Sequence, residues 1–184
     1  MFYLKMYSGA SQTSRLFLAV LPDVDTSAKI HRMAAILKRA HQFRGQLTAH
    51  DRLHVTLFTL SGLPQCLIEK ACEAVAEAKA KPFDVSFDRT MSFRGRPGSR
   101  PFVLAGATGL SELKSFRWSL AAAMSKRGIR FLGRRDFTPH VTLLFADRAV
   151  EENPIGPIGW TVRSVVLICS AQGHTHLAQW PLQF

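Results

Sequence analysis

The sequence predicts an α+β fold of two similar lobes, with mostly antiparallel sheets facing a central cleft and helices on the outside. Three observations lead there. The tetrapeptide His-Val-Thr-Leu occurs twice, at His54 to Leu57 and at His140 to Leu143, 86 positions apart. The same offset carries Leu16, Phe17, Leu18 and Ala19 onto Phe102, Val103, Leu104 and Ala105, and the helically spaced Ile30, Ala34 and Leu37 onto Phe116, Leu120 and Ala123. Short strand-like and helix-like segments are interleaved between Gly and Pro breaks. Together these describe an internal duplication, a strand, a helix and a motif strand made twice.

Each element follows in order. Arg15 to Val20 is a short apolar run suited to a buried strand, broken by Pro22 and Asp23. Asp25 or Thr26 is placed to cap a helix running to His41, with Ile30, Met33, Ala34 and Leu37 as its apolar stripe. Gly45 ends that region, and Leu53 to Leu60 is the first motif strand. Pro64 suits the first turn of a helix over Gln65 to Lys79. Phe83, Val85 and Phe87 alternate with polar residues, the pattern of a half-exposed strand. Arg94 to Pro101 reads as a basic loop joining the halves, about 15–93 and 101–184. Phe102 to Gly106 opens the second half as a strand. Ser111 is placed to cap a helix bearing Leu113, Phe116, Leu120 and Met124, with Gly128 as its terminal glycine. Ile129 to Leu132 reads as a short strand, Gly133 to Asp136 as a turn, and His140 to Phe145 as the second motif strand. Trp160 to Cys169 and His174 to Trp180 read as a closing pair of strands.

Composition narrows the function classes. The 184 residues suffice for one domain over 15–184, and 47% hydrophobic content supports a substantial core. A net charge of +11 favours a polyanionic partner, with nucleic acid ahead of membrane, because no basic amphipathic surface helix stands out. Cys66, Cys72 and Cys169 lack CxxC spacing and read as reduced thiols of a cytoplasmic protein. There is no apolar run long enough to span a membrane, and residues 1–14 lack a signal-peptide core and read as a flexible extension. A monomer is expected, since no sustained apolar stripe is left over.

The repeated motif carries the chemistry. His-x-Thr on a strand presents an imidazole and a hydroxyl on one face. Two copies brought together supply an acid, a base and two hydroxyl donors, the minimum for work on a phosphodiester without metal or other cofactor. Opening an RNA 2′,3′-cyclic phosphate needs one proton taken from water and one given to the departing ribose oxygen. Histidine suits both tasks because it titrates near neutrality. His54 and His140 are therefore the candidate acid–base pair, and Thr56 and Thr142 the candidate donors to the phosphoryl oxygens. A single histidine beside Val and Leu is usually a structural one; two in equivalent places of a repeat are not.

The HVTL pair, the opening RLFLAVLP, the RP followed by FVLAG, and FTPHVTL resemble the two-histidine phosphoesterase superfamily, and most of all its RNA 2′,3′-cyclic phosphodiesterases, also called 2′-5′ RNA ligases. The likeness runs from Arg15 to Leu182. It implies a bilobal fold with pseudo-two-fold symmetry and a basic central cleft holding both motifs. It also implies hydrolysis of RNA 2′,3′-cyclic phosphate to a 2′-phosphate and reversible 2′-5′ joining of tRNA-like ends, with His54, Thr56, His140 and Thr142 as the matching residues. Related members act on 2′-5′ oligonucleotides or small cyclic nucleotides, and an RNA-end binding module without efficient catalysis is a third reading.

Two departures from the family pattern bear on substrate. Members often carry an Arg two residues beyond the second motif, where this chain has Phe145, and many carry a Gly-Arg-Thr-Arg-like stretch, here Gly173-His174-Thr175-His176. Phe145 either stacks on a base or packs, and strict strand alternation, which places it opposite His140, favours packing. His174 and His176 are candidates for phosphate contact, and their spacing also suits a metal pair, although no carboxylate cluster accompanies them. Arg100, Arg134 and Arg135, with Arg94 and Arg96, are candidates for sequence-blind contact with an RNA backbone.

Overall fold

The computed structural model describes residues 15–129, 137–171 and 173–183. Eight strands are present among them: β1 (Arg15–Val20), β2 (Val55–Thr59), β3 (Phe83–Ser92), β4 (Arg100–Ala105), β5 (His140–Ala146), β6 (Asn153–Val162), β7 (Ser164–Ser170) and β8 (Thr175–Pro181). The helices are α1 (Val24–Ala40), α2 (Gln65–Ala76) and α3 (Ser111–Lys126), with a single 3-10 turn at His50–Arg52. The strands form two antiparallel four-stranded sheets, in the orders β2-β1-β7-β8 and β5-β4-β3-β6. This is the α+β architecture expected.

The sheets correspond strand for strand. β1-α1-β2 and β4-α3-β5 are the repeated units, and each outer motif strand, β2 or β5, pairs with the strand that opens its own unit. The other half of each sheet is exchanged. β3 joins the sheet of β4 and β5, whereas β7 and β8 return to the sheet of β1 and β2. Sequence halves and sheets therefore do not coincide. Trp160 to Cys169, expected as one strand, is the end of β6 and most of β7, in different sheets, with Arg163 alone between them. The expected inter-half loop is shorter: Arg100 and Pro101 already belong to β4, and a bridge between Arg96 and Ser99 closes the turn of a β3–β4 hairpin.

One continuous apolar core unites the two sheets with the helices. Leu18, Val20, Leu57 and Val165 from the first sheet meet Phe102, Leu104, Val141 and Leu143 from the second. Ile30 and Ala34 of α1, Ala71 and Val75 of α2, and Leu113, Phe116, Leu120 and Met124 of α3 join the same core, and those of α1 and α3 belong to the stripes expected of them. The opposite face of the first sheet carries a smaller buried cluster, Phe17, Ala19, Val166 and Ile168. This is the face on which the motif histidine lies.

Helix starts differ in detail from expectation. Asp23, not Asp25 or Thr26, caps α1, its carboxylate accepting from the Thr26 amide at 2.8 Å and from the Thr26 hydroxyl at 2.8 Å. Ser111 is the first residue of α3, and the cap position is Leu110, which offers no side-chain acceptor. Gly128 ends α3 with φ of +82°, the left-handed conformation a glycine adopts without strain. Of the Ile129–Leu132 strand only the buried Ile129 is described; the turn over 133–136, with Arg134 and Arg135, and the extension 1–14 lie outside the described residues.

Candidate active site

The two motif strands deliver their histidines by the same local device. His54 stands immediately before β2, and His140 is the first residue of β5. The His54 Nδ1–H donates to the Arg52 carbonyl at 2.8 Å, and the His140 Nδ1–H donates to the Thr138 carbonyl at 2.9 Å. A carbonyl can only accept, so each bond fixes the proton of a neutral imidazole on Nδ1 and leaves the Nε2 lone pair available. Thr56 and Thr142 follow two residues later, both half-buried, while Val55, Leu57, Val141 and Leu143 turn into the core. The structure thus sets His and Thr together on one face in each copy.

The surroundings of the two rings differ. His54 stacks on Phe17, with centroids 4.8 Å apart, and meets the edge of His174 at 5.1 Å. His140 meets the edge of Phe93 at 4.8 Å. Loss of hydration pushes the His54 imidazole below its ordinary value; the Arg52 carbonyl opposes this, and the charges of His140 and Arg52 reinforce it. The two motif strands, β2 and β5, lie against one another. His174 is pulled down to about 4, first by burial and then by the charges of His54, Arg52 and His176, with Asp51 opposing. Its Nδ1 is buried without a hydrogen-bond partner.

Each motif strand also contains a β-bulge just past its threonine. In β2, Thr56 pairs with Ala19 and Phe58 with Leu18, leaving Leu57 unpaired. In β5, Thr142 pairs with Val103 and Leu144 with Phe102, leaving Leu143 unpaired. The inserted residue shifts the alternation by one. Leu143, Leu144 and Ala146 all face the core, so Phe145 emerges on the face of His140 and Thr142, about half exposed at 51%. The alternation that favoured packing for Phe145 is therefore broken. Thr59, its counterpart in the first copy, is exposed in the same way.

Both bulges are held from elsewhere in the chain. The Leu143 carbonyl accepts from the Thr48 amide at 2.8 Å, and the Leu57 carbonyl accepts from Arg117 Nε at 2.9 Å. The Arg117 guanidinium lies between the rings of Phe58 and Phe137, at 4.7 and 4.3 Å from their centroids. Segment 42–48 runs along the β5 edge, with Arg44 donating to Asp147, Arg148 donating to the Gln42 carbonyl, and Leu47 bridging to Leu144. Gly45 approaches so closely that a Cβ there would stand 1.9 Å from the Phe145 carbonyl oxygen. Gly45 serves this approach rather than merely ending α1.

His176 is exposed on β8 opposite Ile168 of the buried cleft-side cluster, and His174 precedes the strand and turns onto His54 and Phe17. Among the described residues, no group of three or more His, Cys, Asp or Glu is arranged to hold a metal ion. Arg100 is half-buried at the start of β4 opposite Ala146, while Arg94 and Arg96 are exposed on the hairpin turn. Phe17, Arg52, Phe93 and Arg117 escaped sequence reasoning. No repeated residue type marked them: the histidine anchors are backbone carbonyls, of Arg52 in one copy and Thr138 in the other.

Comparison with known proteins gives the family and the fold. A family model described as the 2′-5′ RNA ligase superfamily matches residues 22–173. The chain belongs to this superfamily. It is 30% identical over 141 residues to an Archaeoglobus fulgidus protein named RNA 2′,3′-cyclic phosphodiesterase, covering 76% of this chain and 75% of the relative. The solved structure of E. coli LigT in its apo form superimposes with a TM-score of 0.71 at 25% identity, covering 93% of this chain and 98% of LigT. Kluyveromyces marxianus Usb1 shares the fold alone, at a TM-score of 0.56 and 11% identity, over 92% of this chain and 97% of its own.

Proposed function

We propose that this 2′-5′ RNA ligase superfamily member is a cytoplasmic, metal-independent phosphodiesterase that opens RNA 2′,3′-cyclic phosphate ends to 2′-phosphates. The observation that carries the reading is the pair His54 and His140, each pinned through Nδ1 to the carbonyl two residues before it and each followed by a threonine. The reaction adds water to phosphorus and breaks the bond from phosphorus to the ribose 3′ oxygen. His54, kept neutral by its enclosed surroundings, takes the proton of the attacking water at Nε2. His140 gives a proton to the departing 3′ oxygen. Thr56 and Thr142 donate to the non-bridging oxygens, where negative charge grows in the transition state. With the 5′-hydroxyl of a second RNA end attacking phosphorus in place of water, the same step forms a 2′-5′ linkage and frees the 3′-hydroxyl, and its reversal splits that linkage back to the cyclic phosphate.

Two findings on relatives support this substrate class: the name of the Archaeoglobus protein, and a structure of LigT complexed with 3′-AMP. The +11 charge favours a polymer over a mononucleotide, with Arg100 and, beyond the described residues, Arg134 and Arg135 as candidate phosphate contacts. The chain acts as a monomer in this reading. The test is turnover of a short RNA ending in 2′,3′-cyclic phosphate, in EDTA, by the parent and by His54→Ala and His140→Ala. Each variant is expected to lose about 10²–10⁴-fold while remaining folded, the usual contribution of one positioned acid or base. Substantial turnover by both variants would overturn the assignment, and loss of parental turnover in EDTA would overturn metal independence.

A further inference from the structure

Four large apolar side chains stand exposed among the described residues: Val24, Ile36, Trp118 and Phe145. The first three lie on helices α1 and α3, away from the motif strands. Phe145 alone lies on a strand, and it owes its outward direction to the β5 bulge. It pairs directly opposite Pro101, so the two share one face. Phe93 donates its backbone amide to the Pro101 carbonyl at 2.8 Å and lays its ring against His140. An apolar wall thus leads from the His140 side of the cleft through Phe93 and Pro101 to Phe145. The counterpart of Phe145 in the first copy is Thr59, so only one side of the cleft offers a ring at this place.

Distance decides what the ring meets. Phe145 is five residues from His140, roughly 16 Å along a strand at about 3.3 Å per residue, somewhat less across the bulge. The ribose that carries the reacting phosphate is held at the motif residues, with its base beside them, and a ring set this far along β5 is offered to the RNA strand that continues from it. The next base along the strand reaches it.

Resting on the phosphodiesterase reading, we propose that Phe145 is the stacking platform for the base of the nucleotide preceding the cyclic-phosphate terminus. Aromatic rings take any base by its π-face, so the contact adds affinity without sequence preference. It selects an oligonucleotide end over a free mononucleotide. The close approach of Gly45 to the Phe145 carbonyl holds the backbone under the ring.

The experiment compares kcat/KM on a dinucleotide 2′,3′-cyclic phosphate and a mononucleotide 2′,3′-cyclic phosphate for the parent, Phe145→Ala and Phe145→Trp. The parent is expected to prefer the dinucleotide. Phe145→Ala should lose roughly ten-fold on the dinucleotide, mostly in KM, the order one base–aromatic stack supplies, and nothing on the mononucleotide. Phe145→Trp should retain the preference. Equal losses on both substrates, or none on the dinucleotide, would overturn the proposal. If the parent turns over neither substrate, the hydrolytic reading fails by itself. Binding of a dinucleotide bearing a terminal 2′-phosphate then decides the stack: roughly ten-fold weaker binding by Phe145→Ala supports it, and equal affinity overturns it.

Discussion

Within this site one ring does work that the duplicated motif does not disclose. His174 closes over His54 at 5.1 Å, excluding water from one side of a ring already stacked on Phe17. Replacing it with alanine rehydrates His54 and lets its imidazole rise toward the ordinary value. In the proposed mechanism the base form of His54 is the active one. The acidic limb of kcat/KM against pH should therefore move to higher pH in His174→Ala, and an unmoved limb would refute the role. Stability has the same origin. The His174 ring accepts its proton near 4 in the fold against 6.5 ordinarily, so the unfolded chain binds more protons between those values. Its contribution is complete above about 6.5 and is lost as pH falls toward 4, and the lowered His54 acts with the same sign. Urea midpoints at pH 7.5 and 5 should differ less for His174→Gln than for the parent; an unchanged difference would exclude His174 as a source.

Among the elements, the two bulged strands settle what is presented to the cleft. Each bulge frees a carbonyl, and each carbonyl is satisfied by the other half of the sequence: Leu57 by Arg117, Leu143 by Thr48. Arg117→Met removes the donor from the buried Leu57 carbonyl and should lower unfolding free energy by about 1–3 kcal/mol, the usual cost of an orphaned buried acceptor. Lysine should not restore it, because an ammonium cannot lie flat between the Phe58 and Phe137 rings. Denaturant unfolding of the three proteins checks both statements. The bulges also mark the limit of sequence reading. His54, Thr56, His140 and Thr142 were legible because they repeat in type and spacing. The direction of Phe145 was not, because a period of two residues cannot reveal where one extra residue is inserted. Helices were legible from their stripes, but capping at Asp23 was displaced because three neighbouring polar residues compete for one role, and geometry alone chooses.

Taken whole, the molecule interlaces its halves. Residues 15–93 contribute β3 to the sheet of β4 and β5, and residues 101–184 contribute β7 and β8 to the sheet of β1 and β2. No local pattern announces this, since an apolar strand reads alike in either sheet, and the run from Trp160 to Cys169 looks continuous where it changes sheets. Neither half expressed alone should fold, whereas the full chain should unfold in one transition seen alike by circular dichroism and by tryptophan fluorescence from Trp160 and Trp180, which sit in different sheets. Non-coincident transitions would show that the shared core does not couple the lobes. At the same scale, the +11 charge predicts that KM for RNA climbs with salt, log affinity falling by about 0.7 per log unit of salt for each phosphate contacted on a single strand.

The hand-over from β6 to β7 through Arg163 bears on kinetics. With one residue between the last strand of one sheet and the third of the other, and the Arg163 carbonyl engaged by the Leu182 amide, the chain has no slack there for the lobes to swing apart. A cleft tethered in this way stands ready before its ligand arrives. In the proposed reaction the ordering cost of association then falls on the RNA, whose terminus gives up its own freedom on binding. On the proposed function, turnover is then expected to follow how readily RNA ends fray and depart, not the opening and shutting of a protein jaw.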